Sequence, residues 1–144
     1  MSVEENVQLM KRWFQEVWNE GRTDTVYELF SANGIARGQN SADGELRGPR
    51  EFEGFVRKIH GSFSDMKLNV EDVFGACDRV VLRWSAVMKH TGDALGLPAT
   101  GRTVRSCGIT IARIVDGKIV EGWDSWDQLG MLEQIGVYSP PLAA

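Results

Sequence analysis

Two hydrophobic periods divide the chain near Phe63. Before it, apolar residues recur every three to four positions; after it, they alternate. Val7, Met10, Phe14, Val17 and Trp18 share one helical face. Ser2 and Glu5 ahead of that face have the spacing of a capping box, and Gly21 closes the segment. "RTDTVYELF" predicts a second short helix, with Thr23 or Asp24 as N-cap and Val26, Leu29 and Phe30 facing inward. A loop rich in glycine, asparagine and serine follows, with a short strand near Ile35, and runs through Asp43-Gly44. Pro49 then occupies a first-turn position and opens a third helix whose apolar stripe is Phe52, Phe55, Val56 and Ile59.

Beyond Phe63, Met66, Leu68 and Val70 alternate, as do Val80, Leu82, Trp84, Ala86 and Met88. "RTVRSCGITIARIV" and "KIVEGWDSW" form two more strands, joined at Asp116-Gly117, a strong hairpin signal. "QLGMLEQIG" is a short C-terminal helix ended by Gly136. Helices first and a run of long antiparallel strands afterwards predict an α+β fold, with the helices packed on one face of a curved sheet. We read residues 1–138 as one domain and 139–144 as a tail.

Composition narrows the function classes. The 144 residues fit a single domain, and 42% hydrophobic with 25% charged content is ordinary for a globular chain. The net charge of −4 and the lack of a basic run argue against a nucleic-acid partner. No apolar run is long enough to cross a membrane, and the charged, amphipathic start is not a signal peptide. Cys77 and Cys107 have no metal-ligand spacing and read as reduced core thiols of a cytoplasmic protein.

Candidate chemistry concentrates in "EGWDSWDQLG", residues 121–130. Asp127 directly precedes a helical pattern, where a carboxylate caps backbone N–H groups. Asp124 lies within a strand, so alternation sets its face with Val120, Gly122 and Trp126, opposite Ile119, Glu121, Trp123 and Ser125. A two-residue turn at Asp116-Gly117 pairs Val115 with Lys118 and sets Ile109 beside Asp124; a bulged turn pairs Ile114 with Lys118 and sets Gly108 there. The bulged register is preferred, because it gathers Gly108, Thr110, Ala112 and Gly122 on one face and opens space above the sheet. A carboxylate beside such a space and the Trp126 indole is a pocket base with a raised pKa; the alternative is a solvated strand-end aspartate. His90 ends the inward face of its strand and reads either as an acid/base group or as a satisfied core histidine. Arg37 falls in the loop over the expected pocket mouth, where it reads as polarising a carbonyl, binding a carboxylate or standing solvated. Trp18, Phe55, Trp84 and Trp126 read as core or pocket wall. His60, late in the third helix, reads as a surface or dipole-compensating group. Arg83, Arg105, Arg113 and Trp123 share the opposite sheet face.

In order and spacing, "WNEGRTD", "LRGPREF", "HTGDALGLPATGR" and "DGKIVEGWDSWDQLGMLEQIG" resemble the SnoaL-like polyketide cyclases of the nuclear transport factor 2-like superfamily. The resemblance spans nearly the whole chain. It implies a cone-shaped α+β fold enclosing a deep apolar pocket, and a homodimer built on the outer sheet face. It also implies a small apolar or aromatic ligand and an intramolecular aldol closure without metal or cofactor. The family's acid/base aspartate falls on Asp124, a pocket aromatic on Trp18 and a pocket-lining position on Phe55. The histidine that anthracycline cyclases carry on the penultimate strand is replaced by Thr110, and an asparagine-like position falls near Arg37. The superfamily also hosts isomerases, epoxide hydrolases and non-enzymes. An epoxide hydrolase needs a second carboxylate, for which Asp72 is the candidate; a non-catalytic binder needs none.

Overall fold

The structure, a computed structural model, describes residues 1–40, 43–139 and 141. Residues 41–42 of the expected loop and 140 and 142–144 of the expected tail lie outside the described residues. The elements are α1 (Val3–Trp13), a π-helical turn (Phe14–Asn19), α2 (Thr23–Leu29), β1 (Phe30–Arg37), β2 (Glu45–Arg47) and α3 (Gly48–His60). Then come β3 (Phe63–Ala76), β4 (Arg79–His90), β5 (Thr103–Val115), β6 (Lys118–Trp126) and α4 (Gln128–Gln134). Six strands form one curved mixed sheet in the order β2-β1-β6-β5-β4-β3.

Local chemistry accounts for most boundaries. The Ser2 hydroxyl oxygen accepts from the Glu5 N–H at 3.1 Å, as the capping box requires. Asp127 likewise accepts from the Gly130 N–H at 2.8 Å and caps α4. Neither Thr23 nor Asp24 caps α2: the N-cap is Arg22, without a side-chain bond, and the Asp24 carboxylate accepts instead from the Thr25 N–H. The π-helical turn breaks the helical register just before Gly21, and Asn19 holds it to β3 by donating to the Leu68 carbonyl at 2.9 Å and accepting from the Leu68 N–H at 2.7 Å. The Trp18 ring packs on Phe52, Phe55 and His60 of α3.

β1 is longer than the short strand near Ile35. "FSANGIAR" lacks alternation, and its pairing with β6 breaks between Phe30 and Ile35, so no period betrays it. β1 runs parallel to β6, which makes the sheet mixed. Pairing closes the core: Val80, Leu82, Ala86, Ala112 and Ile114 of the inner face pack on Val17, Val26 and Val56 of the helices. Each such buried aliphatic side chain contributes about 1.5–3 kcal/mol.

The β5–β6 register differs from both readings of the turn. Val115 pairs with Lys118 across Asp116 and Gly117, both with positive φ (50° and 74°), the geometry of a two-residue hairpin turn. A bulge at Val120 then inserts one residue, so Arg113 pairs with Glu121 and Thr110 faces Asp124. Because one extra residue inverts alternation, Ile119 is buried with the inner face rather than outward. Cys77 and Cys107 are free and exposed, not core thiols: Cys77 sits in the β3–β4 turn and Cys107 on the outer face. Among the described residues no helix is long and apolar enough to cross a membrane.

Candidate active site

A cavity lies between the inner face of β4–β6 and the aromatic side chains of α1, the π-helical turn and α3. The space open to the centre of a water-sized sphere is about 80 Å³. Trp18 and Phe55, both only partly buried, pack edge-to-face with ring centroids 5.8 Å apart. Met88, Phe63 and Ile59 line another part of the cavity.

Two rungs of the sheet build its floor. In one, Trp84, Gly108 and Trp126 stand side by side on β4, β5 and β6. A β-carbon on Gly108 would lie 2.5 Å from the Trp84 ring and 2.8 Å from the Trp126 Cβ, so two indoles fit abreast because the residue between them has no side chain. In the next rung, Leu82, Thr110 and Asp124 are paired across the same strands. The rungs are two residues apart, so all six positions share one face.

The polar groups of this floor form a chain. The Trp84 indole N–H donates to the Thr110 hydroxyl oxygen at 3.1 Å, and that hydroxyl donates to Asp124 Oδ1 at 2.6 Å. Burial among apolar groups penalises the ionised carboxylate and pushes Asp124 up to about 6, against the opposing pull of the Thr110 hydroxyl and the Trp84 indole. A carboxyl poised there exchanges a proton within the range where general acid/base chemistry operates. Among the described residues, no lysine, arginine or histidine lines the cavity. Among the described residues, no three His, Cys, Asp or Glu side chains converge to hold a metal ion.

Of the side chains singled out in the sequence, Trp18, Phe55, Trp84, Thr110, Asp124 and Trp126 converge on this cavity. His90 and Arg37 do not. His90 points inward, as alternation requires, but β4 outruns the cavity floor. Its ring is fully buried against Phe63, and Nδ1 bonds the Thr100 hydroxyl at 3.0 Å and accepts from the Thr100 N–H at 3.3 Å. Arg37 belongs to β1 rather than to a loop. Paired with Trp123, it projects from the outer face, where it lies over the Trp123 ring and bonds Glu121 at 3.1 Å. Arg113 and Arg37 together hold the Glu121 carboxyl below its ordinary range. Asp72 is exposed and paired with Arg83 at 2.7 Å, so it supplies no second acid to the cavity.

Ser106 follows the alternation of β5, on the face of Gly108 and Thr110, whereas Gln39, the other polar cavity group, carried no periodic signal. Ser106 donates to the Asp127 carbonyl at 3.3 Å. Gln39 follows β1 in a stretch without alternation; the one available clue was Gly38 beside it. Gly38 has φ +86°, and a β-carbon there would lie 1.9 Å from the Asp124 carbonyl oxygen, so the chain crosses β6 in contact with Asp124 itself. The Trp126 indole N–H then donates to the Gln39 carbonyl at 2.7 Å. His60 also gains a partner unforeseen on a surface helix: Nε2 bonds the Trp18 carbonyl at 2.9 Å.

Comparison with known proteins places this chain in a family. The profile of the SnoaL-like polyketide cyclases matches residues 8–135. The chain is 33% identical over 123 residues to the aklanonic acid methyl ester cyclase DnrD of Streptomyces peucetius, covering 84% of each chain. It is 30% identical over 126 residues to the nogalonic acid methyl ester cyclase of Streptomyces nogalater, covering 83% of this chain and 89% of that one. A SnoaL-like crystal structure from Jannaschia sp. CCS1 superposes with a TM-score of 0.84 over 95% of this chain and 94% of that one, at 23% identity, a likeness of fold. With its α+β fold, its enclosed aromatic cavity and these relatives, the chain belongs to the SnoaL-like polyketide cyclase family.

Proposed function

We propose that the protein closes a ring by an aldol-type reaction on a neutral polyketide carbonyl compound, with Asp124 as its acid/base. The observation that carries this reading is Asp124 itself: one carboxyl, held near pH 6 by apolar burial, with Oδ1 engaged by Thr110 and, among the described residues, no cation lining the cavity. A free carboxylate substrate would enter without a counter-charge and would meet Asp124, an arrangement that costs too much in an apolar cavity. An ester or ketone meets no such penalty.

In the proposed step, ionised Asp124 takes a proton from a carbon next to a carbonyl. The resulting carbanion attacks a second carbonyl carbon of the same molecule, a C–C bond forms, and the C=O π pair moves to oxygen. Protonated Asp124 then returns the proton to that alkoxide, so the carboxyl ends as it began.

The test is turnover of aklanonic acid methyl ester and of nogalonic acid methyl ester, followed as loss of substrate and appearance of cyclised product. Activity in the wild type that vanishes in Asp124→Asn supports the reading. Tight binding of either ester without turnover would replace it with a non-catalytic binder. The epoxide hydrolase alternative loses support with Asp72 on the outer face.

We propose further that the working unit is a homodimer formed through the outer sheet face. Phe74, Val81, Ile111 and Trp123 form one paired row across that face, and Phe74 is 60% exposed. Sedimentation of the wild type as a dimer and of Ile111→Asp as a monomer supports this; a monomeric wild type overturns it.

A further inference from the structure

Resting on the cyclase reading, we infer that Gln39 is a substrate-contacting residue, whose carboxamide binds the carbonyl that becomes the alkoxide in ring closure. The inference comes from a complete accounting of the sheet-side polar groups in the cavity. Thr110 spends its hydroxyl proton on Asp124, and Trp84 spends its N–H on Thr110. Ser106 spends its proton on the Asp127 carbonyl, and Trp126 spends its N–H on the Gln39 carbonyl. The Gln39 carboxamide oxygen, by contrast, has no partner among the described residues. The residue is 6% exposed and lines the cavity, and its Oε1 is buried.

A buried carboxamide oxygen without a partner is a cost to the fold, and native structures carry few such groups. Here the backbone around it is fixed. Gly38 lies against the Asp124 carbonyl and Trp126 grips the Gln39 carbonyl, so the side chain is held toward the same space as the Asp124 carboxyl. A carboxamide offers both kinds of bond the reaction needs. Its N–H₂ donates to the electrophilic carbonyl and then to the alkoxide as negative charge gathers there. Its Oε1 accepts from the hydroxyl once Asp124 has returned the proton. His90 and Arg37, the polar candidates read from the sequence, are outside the cavity, whereas Gln39 and Asp124 both line it.

The test uses Gln39→Leu, which keeps the approximate shape and removes both polar ends. With aklanonic acid methyl ester as substrate, kcat is expected to fall roughly 10²-fold, the loss typical of one donor to a developing oxyanion. The melting temperature is expected to hold or rise, because the variant removes an unsatisfied buried group. A merely structural glutamine predicts the reverse, lower stability with activity kept. Gln39→Leu within threefold of an active wild type overturns the inference and leaves the cyclase reading standing. If the wild type turns over no ester, that reading falls, and NMR titration with 1,8-dihydroxyanthraquinone decides the inference separately. Movement of the Gln39 side-chain amide signals together with the Trp84 and Trp126 indole signals supports a contact. Amide signals that stay in place overturn it.

Discussion

Thr110 and Asp124 face each other on β5 and β6, and the threonine hydroxyl donates to Asp124 Oδ1 over 2.6 Å. The hydroxyl stabilises the ionised form, so its removal pushes the carboxyl further up. Thr110→Val is therefore expected to move the acid limb of the pH–rate profile to higher pH. It also leaves the Trp84 N–H without its acceptor, at a cost of about 1–3 kcal/mol measured by urea denaturation. An acid limb that stays in place would show that this bond does not tune Asp124.

The wild-type pH profile follows from the raised carboxyl. Asp124 acts as a base only when ionised, so kcat/KM is expected to fall with unit slope as pH drops below about 6. In Asp124→Asn that limb disappears along with roughly 10²–10⁴-fold of the rate.

The same shift carries a stability consequence of opposite sign to that of a salt-bridged acid. The folded carboxyl titrates near 6 and an unfolded aspartate near 3.9, so the folded state binds more protons between those values. Stability contributed by this site is full below about pH 4 and is lost as pH rises through about 6. Asp124→Asn is thus expected to stabilise the fold at pH 8 by on the order of 2 kcal/mol, read as a higher melting temperature, and to leave stability unchanged at pH 4. Thermal unfolding at the two pH values checks the sign.

Asp127, three residues further on, behaves differently. It caps α4 through the Gly130 N–H. Asp127→Ala is expected to cost about 1 kcal/mol of stability, read from denaturant midpoints, and to shift no limb of the pH–rate profile. A displaced limb would assign Asp127 to the chemistry.

Gly38→Ala tests the crossing that positions both Asp124 and Gln39. The new methyl would need space 1.9 Å from the Asp124 carbonyl oxygen, at a φ of +86°. Strain and displacement together are expected to cost about 2 kcal/mol or more and to lower activity by more than stability alone explains. Both are measurable on one preparation by denaturation and by turnover at saturating ester.

Local patterns reached far into this protein. The switch of period at Phe63, the capping box at Ser2, Pro49 and the Asp116-Gly117 turn gave the α+β class and nearly every element, because each depends on neighbours a few residues apart. Alternation also put Thr110, Trp84, Trp126 and Asp124 on a common face. It failed where the backbone departs from its period. The bulge at Val120 shifts the pairing so that Thr110, not Gly108, meets Asp124, and it turns Ile119 inward. β1 hides in "FSANGIAR" because its contacts with β6 are interrupted.

The two aspartates of "EGWDSWDQLG" show where the boundary lies. Sequence alone separated the helix cap from the strand carboxylate, since capping and alternation are local rules. What surrounds Asp124 was decided by distant segments: β5 brings the hydroxyl, β4 the indole, and the glycine at position 38 brings Gln39 across β6. His90 and Arg37 carried suitable chemistry in sequence, but the length of β4 and the parallel course of β1 leave them outside the cavity. A site assembled from three strands and the segment after β1 is a property of their pairing, and contacts between positions some 14 to 87 residues apart leave no periodic trace in any one segment.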